Sequence, residues 1–144
     1  MSEHWEAASE DAMLGLGPVL AARFGRGGRV YLSGDLGMGK TTLVRGILRA
    51  MGFSGRVKSP SYGLVESYEL PNLTVHHLDL YRLSHGEELA FLGLEELMSA
   101  DALVLIEWPE KGRGFLPRPD WTVHLSEPPE GGRRVDLRCQ SGEH

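Results

Sequence analysis

An α/β domain with a mixed parallel and antiparallel central sheet flanked by helices is the fold class predicted by this 144-residue sequence, and three observations predict it. Residues 30–51 read as a short apolar strand, a glycine-rich loop and an amphipathic helix, the opening unit of a P-loop NTPase fold. Residues 102–106, Ala-Leu-Val-Leu-Ile, are apolar without a break, as in a strand buried on both faces. Between these segments, residues 62–79 form two extended runs that turn at Pro71-Asn72. This β-hairpin brings an antiparallel strand where a purely parallel sheet would carry a crossover.

Composition sets the outer limits. With 41% hydrophobic and 24% charged residues, the chain suits one globular domain spanning residues 1–144. Its net charge of −5 argues against binding DNA or RNA through an overall positive field. The single cysteine, Cys139, excludes an intrachain disulfide and a cysteine metal cluster, which fits a reducing compartment. The acidic N-terminus lacks the order of a signal peptide, and no apolar run approaches the ~18 residues of a membrane span, so a cytoplasmic protein with no membrane partner is expected. Residues 1–8 and 140–144 are expected to be frayed.

The elements follow in order. Ser9 caps a helix whose first turn carries Glu10 and Asp11 and which continues to about Phe24, with Met13, Leu16, Leu20 and Phe24 on one face. Val30 to Leu32 is the strand that feeds the glycine loop. Residues 42–51 are the helix that leaves it, with Gly52 at its C-terminus. Residues 62–70 and 73–79 are the hairpin strands. His76 and His77 fall on opposite faces of the second strand, so they cannot both line one site, and both read as structural or surface histidines. Short helical patterns interrupted by Gly93 occupy 87–97. After the buried strand comes a Gly- and Pro-rich loop, 111–119. Residues 121–125 and 134–139 then close the sheet as an antiparallel edge.

The chemistry lies in Gly34 to Thr41, GDLGMGKT, which meets the pattern GxxxxGK[ST] at every fixed position. Gly34, Gly37 and Gly39 allow backbone N–H groups to curl inward as an anion nest, with Asp35, Leu36 and Met38 as the intervening loop residues. The helix that follows Lys40 and Thr41, beginning at Thr42, aims its positive end at the same point. Lys40 is suited to the outer phosphate oxygens of a nucleoside triphosphate, and the Thr41 hydroxyl to a Mg²⁺ ion. Glu107, delivered by the most apolar strand, is the candidate for a second metal-side carboxylate, and Trp108 beside it would wall the phosphate end. Asp79, at the end of the second hairpin strand, could serve the metal or orient an attacking water; it could equally pair with Arg82.

These residues resemble the TsaE family, small P-loop ATPases of the bacterial machinery that makes threonylcarbamoyladenosine in tRNA. The likeness rests on GDLGMGKTTLVRGILRAMG at 34–52, KSPSYGLVESY at 58–68, HLDLYRL at 77–83 and LIEWPEK at 105–111, and extends from about Ser9 to Arg138. It implies ATP and Mg²⁺ as cofactors, with Lys40 and the loop amides on phosphate and Thr41 with Glu107 on the metal. Ser59-Pro60-Ser61 resembles a switch segment, with Ser61 in place of the family's usual threonine, and Asp79 the acid of a second switch. Ser9 and Arg133, with Arg134, fall where the family holds the base end of the nucleotide. The resemblance further implies an ATPase that is slow alone and stimulated by partners, acting as a switch on the TsaD and TsaB subunits and reaching tRNA only through them. A small-molecule or nucleotide kinase, using Arg113 and Arg118 as a lid, is the alternative; a nucleotide-binding module without significant hydrolysis is the third reading.

Overall fold

The computed structural model describes residues 2–35, 37–60, 64–91, 93–98 and 101–140. They form a seven-stranded sheet in the order β1-β7-β6-β2-β5-β4-β3. In chain order the elements are β1 (Ser2–Ala7), α1 (Glu10–Gly15), α2 (Gly17–Phe24), β2 (Gly28–Ser33), α3 (Lys40–Ala50), β3 (Val65–Glu69), β4 (Thr74–Asp79), α4 (Glu88–Phe91), α5 (Leu94–Leu97), β5 (Ala102–Glu107), β6 (Trp121–Ser126) and β7 (Arg133–Cys139). Strands β6, β2, β5 and β4 run parallel. Strands β3, β7 and β1 each pair antiparallel with a neighbour, which gives the mixed sheet that the hairpin foretold.

The sheet separates two apolar layers. Val30, Leu32, Val75, Leu103, Leu105, Val123 and Leu125 pack under α1, α2 and α3. Leu78, Val104 and Ile106 point the other way, onto Leu80, Leu83, Leu89 and Leu94. β5 is therefore buried along its whole length, as its uninterrupted apolar run requires. β6 and β7 are covered on one face only. They alternate Val123, Leu125, Val135 and Leu137 inward with polar residues outward. No described helix is long and apolar enough to cross a membrane.

Five expectations are corrected. Of residues 1–8, expected to be frayed, residues 2–7 form β1, in register with β7 from Ser2 opposite Arg138 to Ala7 opposite Arg133, and residue 1 lies outside the described ones. Trp5 and Ala7 lean on the core, and Glu3 on the same face pairs with Arg23 at 2.7 Å. The helix expected from Ser9 to Phe24 is two helices broken at Leu16, because Pro18 supplies no N–H for a continuous ladder and instead starts α2. The sheet edge is β1 rather than β7, and β6 lies parallel to β2. The loop expected from 111 begins instead inside a 3₁₀ turn, Pro109–Gly112. Of the expected frayed C-terminus, Gln140 is held by a backbone bond to Asp120 at 2.8 Å, and residues 141–144 lie outside the described ones.

The break in the first helix has a consequence for the site. Gly17 lies so near α3 that a Cβ there would sit 2.2 Å from the Gly46 carbonyl carbon, and one on Gly46 would sit 2.6 Å from the Leu14 carbonyl oxygen. This glycine contact lets α1 lie close enough for Met13 to reach the glycine loop, 3.4 Å from where a Gly39 Cβ would stand. α3 ends as its sequence predicts, with Gly52 at φ 104° and Phe53 N–H bonded back to Leu48 at 3.0 Å.

Gly46→Ala is expected to destabilise the fold by about 1–3 kcal/mol, since backbone must move to admit the methyl. Gly15→Ala has nothing within 4 Å of the new Cβ and an ordinary φ, so it should be neutral or stabilise by up to about 1 kcal/mol. Urea denaturation of the two variants checks the contrast.

Candidate functional site

Parallel pairing brings the candidate residues together. Leu32 of β2 lies beside Glu107 of β5, and Glu107 beside Asp79 of β4. The chain leaves each of these strands at the same end of the sheet, where ligands bind in open α/β folds. The glycine loop follows β2, Trp108 follows Glu107, and Tyr81 and Arg82 follow Asp79. Alternation then selects the face. Val75, His77 and Asp79 on β4, with Leu103, Leu105 and Glu107 on β5, share the side covered by α3. A cleft of about 580 Å³ opens there, lined by Gly37, Gly39, Lys40, Thr41, Thr42, Ser59, Pro60, Asp79, Tyr81, Arg82, Glu107 and Trp108.

The loop has the backbone that its glycines permit. Gly34, Gly37 and Gly39 adopt φ of 142°, 82° and 98°, conformations that L side chains seldom take. A Cβ on Gly34 would also meet the Leu125 carbonyl oxygen at 2.7 Å. Gly39 is the N-cap of α3 and carries no capping side chain. The first N–H groups of that helix therefore point out of its end without side-chain acceptors, as an anion site requires.

Lys40 is 5% exposed. Its Nζ donates to the Gly34 carbonyl and lies 4.2 Å from the centre of the Trp108 ring. Among the described residues it forms no ion pair with a carboxylate. Held, among the described residues, by a carbonyl and an aromatic face, this buried cation is short of negative charge, which an anionic ligand such as a phosphate group would bring. Trp108 itself has φ 57°, in the left-handed region that a bulky residue enters at a cost of about 1–3 kcal/mol. Tyr81 packs against it with ring centres 5.0 Å apart.

Oxygen donors face this lysine. Thr41 Oγ1 lies 3.3 Å from Ser59 Oγ. The Asp79 carboxylate accepts the Tyr81 N–H at 3.0 Å. Burial pushes the Asp79 carboxyl above its ordinary value; the Tyr81 N–H opposes this, Glu107 adds to the rise, and His77 and Lys40 oppose it. Glu107 is 3% exposed, and its Oε2 lies 2.6 Å from Nε2 of His77. Thr41, Asp79 and Glu107 are thus the groups that could hold a hard cation beside a bound phosphate, a donor set of the size that Mg²⁺ takes from proteins.

A second cleft of about 360 Å³ lies across the loop, lined by Ala7, Ala8, Ser9, Glu10, Met13, Gly37, Met38, Gly39, Thr42, Gly132 and Arg133. Ser9 caps α1 by accepting from Ala12 N–H at 3.1 Å, and Arg133 donates to the Gly37 carbonyl at 3.2 Å. The two residues expected at the base end, far apart in sequence, therefore meet beside the loop. Arg134 turns instead to Asp136.

Of the other expected site residues, Asp35 lines neither cleft but a neighbouring depression with Gly34, Met38, Trp108 and His124. Leu36 and Ser61 lie outside the described residues. Glu10, which in sequence reads as an ordinary first-turn acid, accepts from Thr42 Oγ1 at 3.5 Å and from Arg45 at 3.4 Å and so ties α1 to the loop helix. Of the two histidines expected to be structural or at the surface, His76 is peripheral, bonded to Ser67, and His77 is buried against Glu107. The signal was available: His77 is two residues before Asp79 and shares its face.

Comparison with known proteins follows the same lines. A family model described as Threonylcarbamoyl adenosine biosynthesis protein TsaE matches residues 7–135. The tRNA threonylcarbamoyladenosine biosynthesis protein TsaE of Haemophilus influenzae is 47% identical over 112 residues, 78% of this chain and 70% of that protein. Its namesake in Rickettsia bellii is 40% identical over 118 residues, 81% of each chain. The Nostoc sp. protein of the same name is 32% identical over 133 residues, 90% of this chain and 82% of its own length. The crystal structure of Bacillus subtilus YdiB matches with a TM-score of 0.74 at 20% identity, over 96% of this chain and 86% of that one, a likeness of fold.

Asp79→Asn is expected to leave the fold as stable or more stable at neutral pH. A carboxyl whose folded pKa is raised stabilises fully below its ordinary 3.8, and that contribution is lost as pH rises through the folded value. Urea unfolding across pH 3–7 should therefore show wild type gaining on the variant as pH falls; a gap independent of pH would contradict this.

Proposed function

The chain belongs to the TsaE family, and on that premise we propose that it is a Mg²⁺-dependent ATPase subunit of tRNA threonylcarbamoyladenosine biosynthesis. One observation carries this reading: the buried Lys40, without a carboxylate partner among the described residues, stands at the mouth of a glycine loop and opposite Asp79 and Glu107. In this reading the loop amides and the first turn of α3 bind the phosphates of ATP, and Lys40 neutralises the charge that develops on the γ-phosphate. Thr41 and Glu107 hold the Mg²⁺ ion, which when bound screens the phosphate oxygens. Asp79 orients the attacking water, and its raised carboxyl pKa favours taking up a proton. Ser61 supplies a hydroxyl to the γ-phosphate side, and Trp108 walls that end of the cleft. Ser9 and Arg133 bound the cleft for the base.

The hydrolysis drives a switch on a TsaD and TsaB complex in the cytoplasm, so tRNA is reached through those partners. The net charge of −5 agrees with a subunit that does not grip RNA itself. A kinase has less support, because Arg113 and Arg118 are exposed and line neither cleft.

Phosphate release is expected to be slow for the protein alone and faster with purified TsaB and TsaD; equal, fast release in both conditions would refute the switch. Lys40→Ala should lower the partner-stimulated rate by about 100-fold or more. Glu107→Ala should weaken the Mg²⁺-dependent rate while circular dichroism stays that of the wild type. An unchanged metal requirement would mean that a different acid serves the metal.

A further inference from the structure

Glu107 does not stand alone at its strand end. The His77 side chain beside it is fully buried, at 0% exposure, and its Nε2 lies 2.6 Å from Glu107 Oε2. The geometry follows from the sheet. His77 pairs in register with Leu105, so Glu107 is its diagonal neighbour on the same face. On that face Val75, Leu103 and Leu105 are apolar and fully buried, while Asp79, two residues along β4, and Glu66, paired with His77 across β3, carry carboxylates, which are acceptors. With Glu107 as a carboxylate, Oε2 accepts and Nε2 of the ring carries the hydrogen. Nδ1, buried as well, has no hydrogen-bond partner among the described residues. Among the described residues, the ring's one side-chain hydrogen bond is to Glu107.

We infer that His77 is a positioning residue for the metal site: by engaging Oε2 it fixes the orientation of the Glu107 carboxylate, which with Thr41 would hold the cation. The inference rests on the Mg²⁺–ATP reading. It explains why a ring with an unpaired nitrogen occupies an apolar layer, where leucine would pack without an orphaned polar atom. Hydrogen bonds to a metal-binding carboxylate orient it, and their loss commonly costs 10–100-fold in metal affinity. His77 touches neither nucleotide nor metal in this arrangement; it acts through Glu107.

The test compares three variants in the full chain. Glutamine can place its Nε2 near that of the imidazole, asparagine is too short to do so, and leucine has no donor. Mn²⁺ serves as the probe, with a non-hydrolysable ATP analogue present and free Mn²⁺ read by electron paramagnetic resonance. His77→Leu and His77→Asn should raise the apparent Mn²⁺ Kd by about 10–100-fold, and His77→Gln should stay within about threefold of the wild type. Binding of a fluorescent nucleotide in EDTA should be the same in all of them. In a Glu107→Ala background, His77→Leu should have no further effect on Mn²⁺ affinity.

Equal Mn²⁺ affinity in the leucine variant and the wild type would overturn the inference while leaving the Mg²⁺–ATP reading in place. So would equal weakening in the glutamine and asparagine variants, which reports a packing role and can be read even if the leucine variant fails to fold. A wild-type protein that binds nucleotide but takes up no Mn²⁺ would overturn the metal reading itself, and this inference with it.

Discussion

Parallel pairing of β2, β5 and β4 in one register, with Leu32 beside Glu107 and Glu107 beside Asp79, is the constraint on which the site depends. Side chains on a strand alternate between faces, so a slip of one residue in β5 would carry Glu107 to the opposite layer and bring Ile106 to the cleft. Two apolar layers oppose that slip. Leu103 and Leu105 are buried under α3, and Val104 and Ile106 are buried against Leu80 and Leu89. The burial of β5 on both faces is thus what holds a carboxylate at the cleft.

The site in turn gathers charges that the core alone would not favour. Lys40 and Glu107 are nearly inaccessible, and Asp79 is held toward its protonated form by burial. Their local compensation is partial: a carbonyl and an aromatic face for Lys40, one imidazole for Glu107, one backbone N–H for Asp79. Desolvated charges interact more strongly than exposed ones, and they cost stability until a ligand of complementary charge arrives. Trp108 in its left-handed conformation adds strain at the same place. Stability is given up around the cleft, and the close glycine packing of α1 and α2 on α3, the β1 edge and the two apolar layers offset it elsewhere.

Much of this was legible in the chain. The loop from Gly34 to Thr41 announced an anion site through local backbone requirements that neighbouring sequence supplies. The β5 run announced a central strand, and Glu107 its product. Less legible were features that depend on distant partners. Strand β1 was hidden because a Glu-Trp-Ala alternation gains its strand pairing from β7, more than a hundred residues away. The split of the first helix was hidden because Pro18 at the start of a second helix and Pro18 inside a kinked one look alike until Gly17 is seen against Gly46.

By itself, then, the sequence determined the glycine loop, the helix that follows it, the buried strand ending at Glu107 and the hairpin ending at Asp79, since each is written in contiguous residues and their periodicity. Tertiary structure alone decided that Asp79 and Glu107 are neighbours, that Ser9 and Arg133 flank one cleft, and that His77 belongs to the site and His76 does not. Those facts are matters of strand order and register, set by which apolar faces can be buried together, and no local stretch of the chain contains them.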